Sequence, residues 1–250
     1  MSPTRAQARG ALTAVRAVLF DFNGVLLDDE RFHWLAFRKV LRPLGVTLSR
    51  ARYDIRYLAF DDRSALMAML RDARLRDAPF ERLLQRKRRT YARLARRVRI
   101  DPRAARLVSA VARRVPIAVV SGAARSEVRH ALGRVGLTRL FGAIVTAEDV
   151  KRPKPWPDGY RLALRRLGLR GGRGCVAIED SPGGVRAART AGLGVVAVAT
   201  SFSSGVLRRA GAARVVAVLQ VLRLEQLLCG ERGMPDGPSG SRRRPHRRRS

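Results

Sequence analysis

Three short apolar runs end in groups able to engage a ligand. Val15–Asp21 closes on a carboxylate, Pro116–Ser121 on a hydroxyl, and Gly174–Asp180 on the acidic pair Glu179–Asp180. Gathered at one edge of a sheet, these groups would form a polar pocket of acids and a hydroxyl. In open α/β sheets ligands bind at the carboxyl ends of the strands. A polar residue at the end of a single strand is common; the convergence of three is what signals a site.

The elements that must position them follow from hydrophobic pattern. Ala143–Thr146, Gly194–Ala199 and Arg214–Val218 repeat the short, Val- and Ile-rich character of the first three runs. Such runs, mostly uncharged inside, are expected of parallel strands covered on both faces. Helical spacing appears between them at Pro102–Arg114, Ser126–Val135, Asp158–Leu167 and Gly184–Ala191. Strand and helix alternate from residue 100 onward. The expected fold is α/β, a Rossmann-like open parallel sheet with right-handed crossovers.

The stretch from Asp29 to Arg99 breaks this alternation and contains no strand-like run. Phe32, Leu35, Ala36 and Val40 fall at helical spacing, as do Ala65, Leu66, Met69 and Leu70, and a third helix would carry Phe80, Leu83, Leu84, Tyr91, Leu94 and Val98. A helical cap inserted after the first strand is expected at residues 29–99. The core then comprises residues 14–28 and 100–228, with a disordered N-terminus at 1–13 and a basic disordered tail at 229–250. The tail contains RRRPHRRR, for which a nuclear-import or nucleic-acid role is the alternative to disorder.

With 250 residues, 46% of them apolar, the chain can bury a sizeable core and is not disordered as a whole. No run reaches the 18 or so apolar residues of a membrane span. The run Ala11–Leu27 is interrupted by Arg16 and Asp21, so it makes a poor signal peptide. Two cysteines, Cys175 and Cys229, exclude a disulfide framework or a Cys-rich zinc site, and a cytoplasmic setting is expected. The net charge is +32, yet of 52 basic residues only Lys39, Lys87, Lys151 and Lys154 are lysine. Phosphate binding uses lysine as well as arginine, so this ratio fits a GC-rich coding bias better than nucleic-acid binding. The surface would still steer anions. The basic run Arg86–Arg99 is expected to be a solvated helix face. A monomer or dimer is expected.

The segment Phe20–Asp28 (FDFNGVLLD) resembles the first motif of the haloacid dehalogenase-like hydrolase superfamily, Asp-x-Asp-Gly-Thr/Val at the end of the first strand. Ser121–Gly122 resembles its second motif and Lys154–Pro155–Trp156–Pro157–Asp158 its third. Glu179–Asp180–Ser181, followed by Gly183 and Ala187–Gly192, resembles the acidic fourth motif of the β-phosphoglucomutase-like branch. The four occur in order, and the resemblance covers about residues 15–220.

The resemblance implies a phosphatase acting on a small phosphorylated metabolite. Asp21 would attack phosphorus and form an aspartyl-phosphate. Magnesium would be held by the Asp21 carboxylate, the main-chain carbonyl of Asn23, Asp180 and Glu179, since three carboxylates in one pocket repel strongly without a divalent ion. Lys154, preferred over Lys151, would neutralise the transferring oxygens, and Ser121 and Gly122 would hold another. Arg125 is a candidate for a second anionic group of the substrate. Arg52, Arg56, Arg63 and Tyr57 are cap candidates.

Position 23 departs from the family pattern. The family's second aspartate exchanges a proton with the leaving group and the attacking water, which the Asn23 amide cannot do. Three readings follow: a phosphatase for good leaving groups, a substitute acid–base such as His33, Asp28 or Asp29, or a binding protein with little turnover. Deamidation at Asn23–Gly24 is a fourth. Dehalogenation needs no metal and is disfavoured by Glu179–Asp180; phosphomutation needs two acid–base steps and is disfavoured by Asn23.

Overall fold

The computed structural model describes residues 15–58 and 60–228. The expectations for residues 1–13, Cys229 and the 229–250 tail lie outside the described residues. Six parallel strands form one sheet in the order β3-β2-β1-β4-β5-β6. They are β1 (Ala17–Phe20), β2 (Ile117–Val120), β3 (Ala143–Val145), β4 (Cys175–Glu179), β5 (Gly194–Val198) and β6 (Arg214–Val216). All six coincide with the apolar runs of the sequence. Each is one to three residues shorter than its run, and past β1, β2 and β3 the first residue beyond the strand is polar: Asp21, Ser121 and Thr146.

Side chains of β1 alternate between two cores. Val18 and Phe20 pack with Val119 and Ile178 on one face. Ala17 and Leu19 pack with Ala118, Ala177, Tyr160 and Val185 on the other. Two-sided burial explains why β1 lacks the polar alternation of a half-exposed strand. The many alanines on the second face leave room for the bulky Tyr160.

Helices α1 (Glu30–Leu41), α2 (Arg50–Arg56), α3 (Asp62–Asp72) and α4 (Phe80–Leu94) lie between β1 and β2 and build a separate apolar cluster around Phe37, Leu41, Leu66 and Leu84. The remaining helices are α5 (Pro102–Ala112), α6 (Arg125–Gly133), α7 (Asp158–Arg166), α8 (Pro182–Thr190), α9 (Ser204–Ala210) and α10 (Leu224–Leu228). Caps fix their starts: Asp101 accepts from Arg103 N and Ala104 N ahead of α5, and Ser181 accepts from Gly184 N ahead of α8. Pattern alone does not reveal α2, α9 and α10, which are too short for a clear period.

Two expectations need correction. The third cap helix, α4, ends at Leu94 and does not carry Val98. Within the basic run, Lys87 is not solvated: it is fully buried. Arg86, Arg88, Arg89 and Arg93 are exposed as expected. No helix among the described residues is long and apolar enough to cross a membrane.

Candidate active site

From β1 the strand order runs outward in both directions, to β2 and β3 on one side and to β4, β5 and β6 on the other. This reversal opens a crevice at the carboxyl end of β1. Asp21 is the first residue beyond that end, its amide donating to Ile178 O at 2.9 Å. Glu179 ends β4 and Asp180 follows it, while Ser121 follows β2. Lys154 reaches in from the loop before α7 and donates to Asp21 Oδ1 at 2.7 Å and to Val120 O at 2.9 Å. Its Nζ also lies 2.6 Å from Glu179 Oε1. The four sequence motifs therefore meet at one point.

One carboxylate oxygen from each of Asp21, Glu179 and Asp180 falls within 4.8 Å of the others, and all three residues are buried. Burial and the nearby Glu179 charge push the Asp21 carboxyl up to about 7, against the pull of Lys154. Asp180 is raised as well, by burial and then by the charges of Asp21 and Glu179. Lys154 offsets part of this repulsion. An all-oxygen, negatively charged donor set fits a hard divalent cation such as magnesium.

Within the cluster the three carboxylates are not equivalent. Glu179 Oε1 accepts from Tyr160 OH at 2.7 Å, and its Oε2 from the Asp180 amide and Ser181 Oγ, both at 3.2 Å. Glu179 thus anchors Lys154 from behind. Asp180 Oδ2 accepts from Ser201 Oγ. Thr200 Oγ1 donates to Gly24 O at 2.5 Å, tying the loop after β5 to the loop after β1. Tyr160, Thr200 and Ser201 escaped the sequence reading. Ser201 follows the Gly194–Ala199 run by two residues, so the strand-end rule that flagged Ser121 would have found it.

Two glycines make these approaches feasible. Gly24 has φ +75°, and a Cβ there would lie 1.9 Å from Asp180 Oδ2. A Cβ on Gly184 would lie 2.0 Å from the Glu179 carboxylate. Gly184→Ala is therefore expected to displace Glu179, costing about 1–3 kcal/mol of stability. Lys154 loses its rear anchor and turnover falls with it; a thermal melt paired with a rate measurement checks both effects.

The crevice opens into a cleft of about 430 Å³ between the sheet edge and the helices α1–α4. Asp21, Asn23, Ser121, Gly122 and Lys154 line its floor. Ser121 Oγ accepts from Ala123 N at 3.0 Å, which leaves its proton available to a ligand. His33, Asp62, Arg63 and Arg88 line the opposite side. Among the arginines expected from the cap, only Arg63 lines the cleft. Arg56 pairs with Asp72, whose carboxylate also accepts from Tyr57 OH. Arg125 is not brought to the cleft. Its guanidinium sits 2.9 Å from Asp149 because the acidic turn after β3 draws it away from the floor.

Asn23 points toward the cap. Its Nδ2 donates to Asp29 Oδ2 at 2.7 Å and lies 3.4 Å from His33 Nε2. Asp29 is fully buried, and Tyr91 OH also donates to it. Burial pushes the Asp29 carboxyl up, but hydrogen bonds from His33, Tyr91 and Asn23 outweigh it and hold the group below its ordinary value. Behind His33, Lys87 Nζ approaches Nδ1 at 2.7 Å, bonds Asp62 and lies 4.7 Å from the Phe37 ring centre. Lys87 is thus part of a buried polar cluster over the cleft. Asp28 is exposed and outside it.

Comparison with known proteins places these residues in context. The family model for haloacid dehalogenase-like hydrolases matches residues 15–192. The phosphorylated carbohydrates phosphatase of Thermotoga maritima is 28% identical over 216 residues, covering 84% of this chain and 98% of that protein. The fructose-1-phosphate phosphatase YqaB of Escherichia coli is 31% identical over 186 residues, covering 72% of this chain and 95% of its own. The crystal structure of CbbY from Rhodobacter sphaeroides in complex with phosphate superposes with a TM-score of 0.71 at 27% identity, covering 83% and 96% of the two chains.

Proposed function

The chain belongs to the haloacid dehalogenase-like hydrolases, and on that premise we propose that it is a magnesium-dependent phosphatase of small phosphorylated metabolites. It is a phosphoric monoester hydrolase by family, and its phosphatase relatives on carbohydrate phosphates point to sugar phosphates as substrates. The observation that carries the reading is the Asp21–Lys154 pair at 2.7 Å, set at the point where the strand order reverses and beside Asp180.

In this reading Asp21 attacks phosphorus, and the bond to the leaving oxygen breaks as the aspartyl-phosphate forms. Lys154 holds Asp21 in place and offsets charge on the transferring oxygens. Ser121 donates its hydroxyl proton to another phosphoryl oxygen, with main-chain N–H groups around Gly122 beside it. Glu179 and Tyr160 fix Lys154 from behind. Magnesium, held by Asp21, Asp180, the Asn23 main-chain carbonyl and Glu179, would neutralise the phosphoryl group and fix its direction. Helices α1–α4 act as the cap that closes over the substrate and excludes water. The setting is cytoplasmic, which the free, buried Cys175 suits.

Inorganic phosphate release from p-nitrophenyl phosphate, acetyl phosphate and a panel of sugar phosphates, with magnesium or with EDTA, tests the proposal. Turnover in magnesium and its loss in EDTA are expected, together with an acid-stable phosphoenzyme on Asp21. Absence of release from every ester in magnesium would overturn it.

Metal and proton compete for the same cluster, which sets a pH dependence. The folded Asp21 carboxyl is raised to about 7 from 3.8, so without metal its contribution to stability is full below about pH 4 and lost as pH rises through about 7. Magnesium takes the place of that proton. Added magnesium is expected to raise the melting temperature more at pH 8 than at pH 5. At a hundredfold excess over Kd the stabilisation is about 2.7 kcal/mol. An equal shift at both pH values would contradict this.

A further inference from the structure

The Asn23 amide, committed to Asp29, leaves the proposed phosphatase without a proton carrier at that position. Among the described residues, one carboxylate lining the cleft has no hydrogen-bond or ion-pair partner. Glu127 lies in the first turn of α6, on the core side, six residues beyond Ser121. It lines the same cleft as Asn23, Ser121 and His33. The other acids around it are tied down: Asp62 holds Lys87, Asp29 holds Asn23 and Tyr91, and Glu30 holds Tyr53. Among the described residues, no hydrogen bond or ion pair engages the Glu127 side chain.

We propose that Glu127 is the acid–base group of this enzyme, doing from the core helix α6 what Asn23 cannot. The inference rests on the phosphatase reading above. Asp21 forms its bond to phosphorus while the phosphorus–oxygen bond to the leaving group breaks, its electron pair staying on the leaving oxygen. The Glu127 carboxylic acid gives that oxygen its proton, so an alcohol departs and Glu127 becomes a carboxylate. A water then attacks phosphorus and passes one proton to Glu127. The phosphorus–oxygen bond to Asp21 breaks, inorganic phosphate leaves, and both side chains return to their starting states.

The environment suits a group that must hold a proton near neutral pH. The charged and titratable groups around Glu127 are Asp29 just before α1, His33 from α1, Asp62 from α3, and Lys87 and Tyr91 from α4. Burial raises the Glu127 carboxyl above its ordinary value. The charges of His33 and Lys87 pull it down, and those of Asp62 and Asp29 push it further up. His33 and Asp29, which both touch the Asn23 amide, also act on Glu127 through their charges, and Glu127 and Asn23 line one cleft.

Leaving-group dependence separates proton transfer from a merely structural role. Glu127→Gln is expected to lower kcat/KM on an alkyl phosphate such as glycerol phosphate by about 10²-fold. On p-nitrophenyl phosphate, whose phenolate leaves without protonation, kcat/KM covers only the steps through aspartyl-phosphate formation and is expected to stay within about twofold of wild type, while kcat falls wherever the Glu127-assisted water attack limits turnover. The alkaline fall in kcat/KM for the alkyl ester should vanish in the variant, because Gln cannot titrate. Adding Asn23→Asp to Glu127→Gln should restore alkyl-ester turnover. Equal losses of kcat/KM on both esters, no loss on the alkyl ester, or failure of the double variant to recover would each overturn the proposal. If wild type releases phosphate from neither ester in magnesium, the phosphatase reading fails first and this inference with it. Wild-type turnover that Glu127→Gln leaves unchanged sinks the inference alone.

Discussion

Asp21→Asn is expected to lower kcat by about 10⁴–10⁶, the usual consequence of losing a nucleophile. The phosphoenzyme disappears in the same variant. The amide keeps the shape of the side chain but lacks the charge and nucleophilicity of a carboxylate. The fold should survive. Asp21 is one of three buried carboxylates that repel one another, and burial already pushes its carboxyl up to about 7. Removing that charge relieves Glu179 and Asp180, while Lys154 keeps its 2.6 Å contact with Glu179. Without metal at pH 8 the variant should therefore melt no lower than wild type. Single-turnover kinetics and a melt on the same sample give both answers. A variant that keeps more than about a hundredth of wild-type kcat would rule out Asp21 as the nucleophile.

Lys154→Met should have the largest combined effect on activity and stability. Its ammonium contacts Asp21, Glu179 and the Val120 carbonyl within 2.9 Å. Burial opposes its charge, but Asp21 and Glu179 outweigh burial and raise its pKa. Methionine fills the volume and leaves the acids uncompensated. Breaking a buried pair on one side costs about 3–5 kcal/mol, which lowers the melting temperature of a domain this size by roughly 6–20 °C. The loss should be greater at pH 8 than at pH 5, because protons relieve the repulsion at low pH. Turnover should fall by about 10²–10³. Lys154→Arg should recover little. Three acceptors around one tetrahedral ammonium do not match a planar guanidinium. Melts at both pH values with EDTA present test the electrostatic origin; a pH-independent loss would point to packing instead.

Much of this protein was determined locally. The six strands and the core helices α5 to α8 follow from apolar runs and caps that act over a few residues. Asp21, Ser121, Glu179 and Asp180 were identifiable because strand ends in a parallel sheet must meet at one edge, whatever the loops do; Lys154, in the loop before α7, was identifiable only by its resemblance to the family's Lys-Pro-x-Pro-Asp motif. Long-range packing decided the rest. Lys87 sits within a basic run whose neighbours are solvated, and only the meeting of α1, α3 and α4 buries it between Asp62 and His33. Arg125 begins a helix near the cleft, yet an acidic turn 24 residues later in the chain, at Asp149, draws it away. Gly184 matters because Glu179 occupies the space where its Cβ would be. Glu127 has no motif around it; that it shares a cleft with Asn23 is decided only by the tertiary arrangement. Periodicity records which face of an element is apolar. Which charges end up opposite one another depends on how separate elements dock, and no short stretch of sequence carries that information.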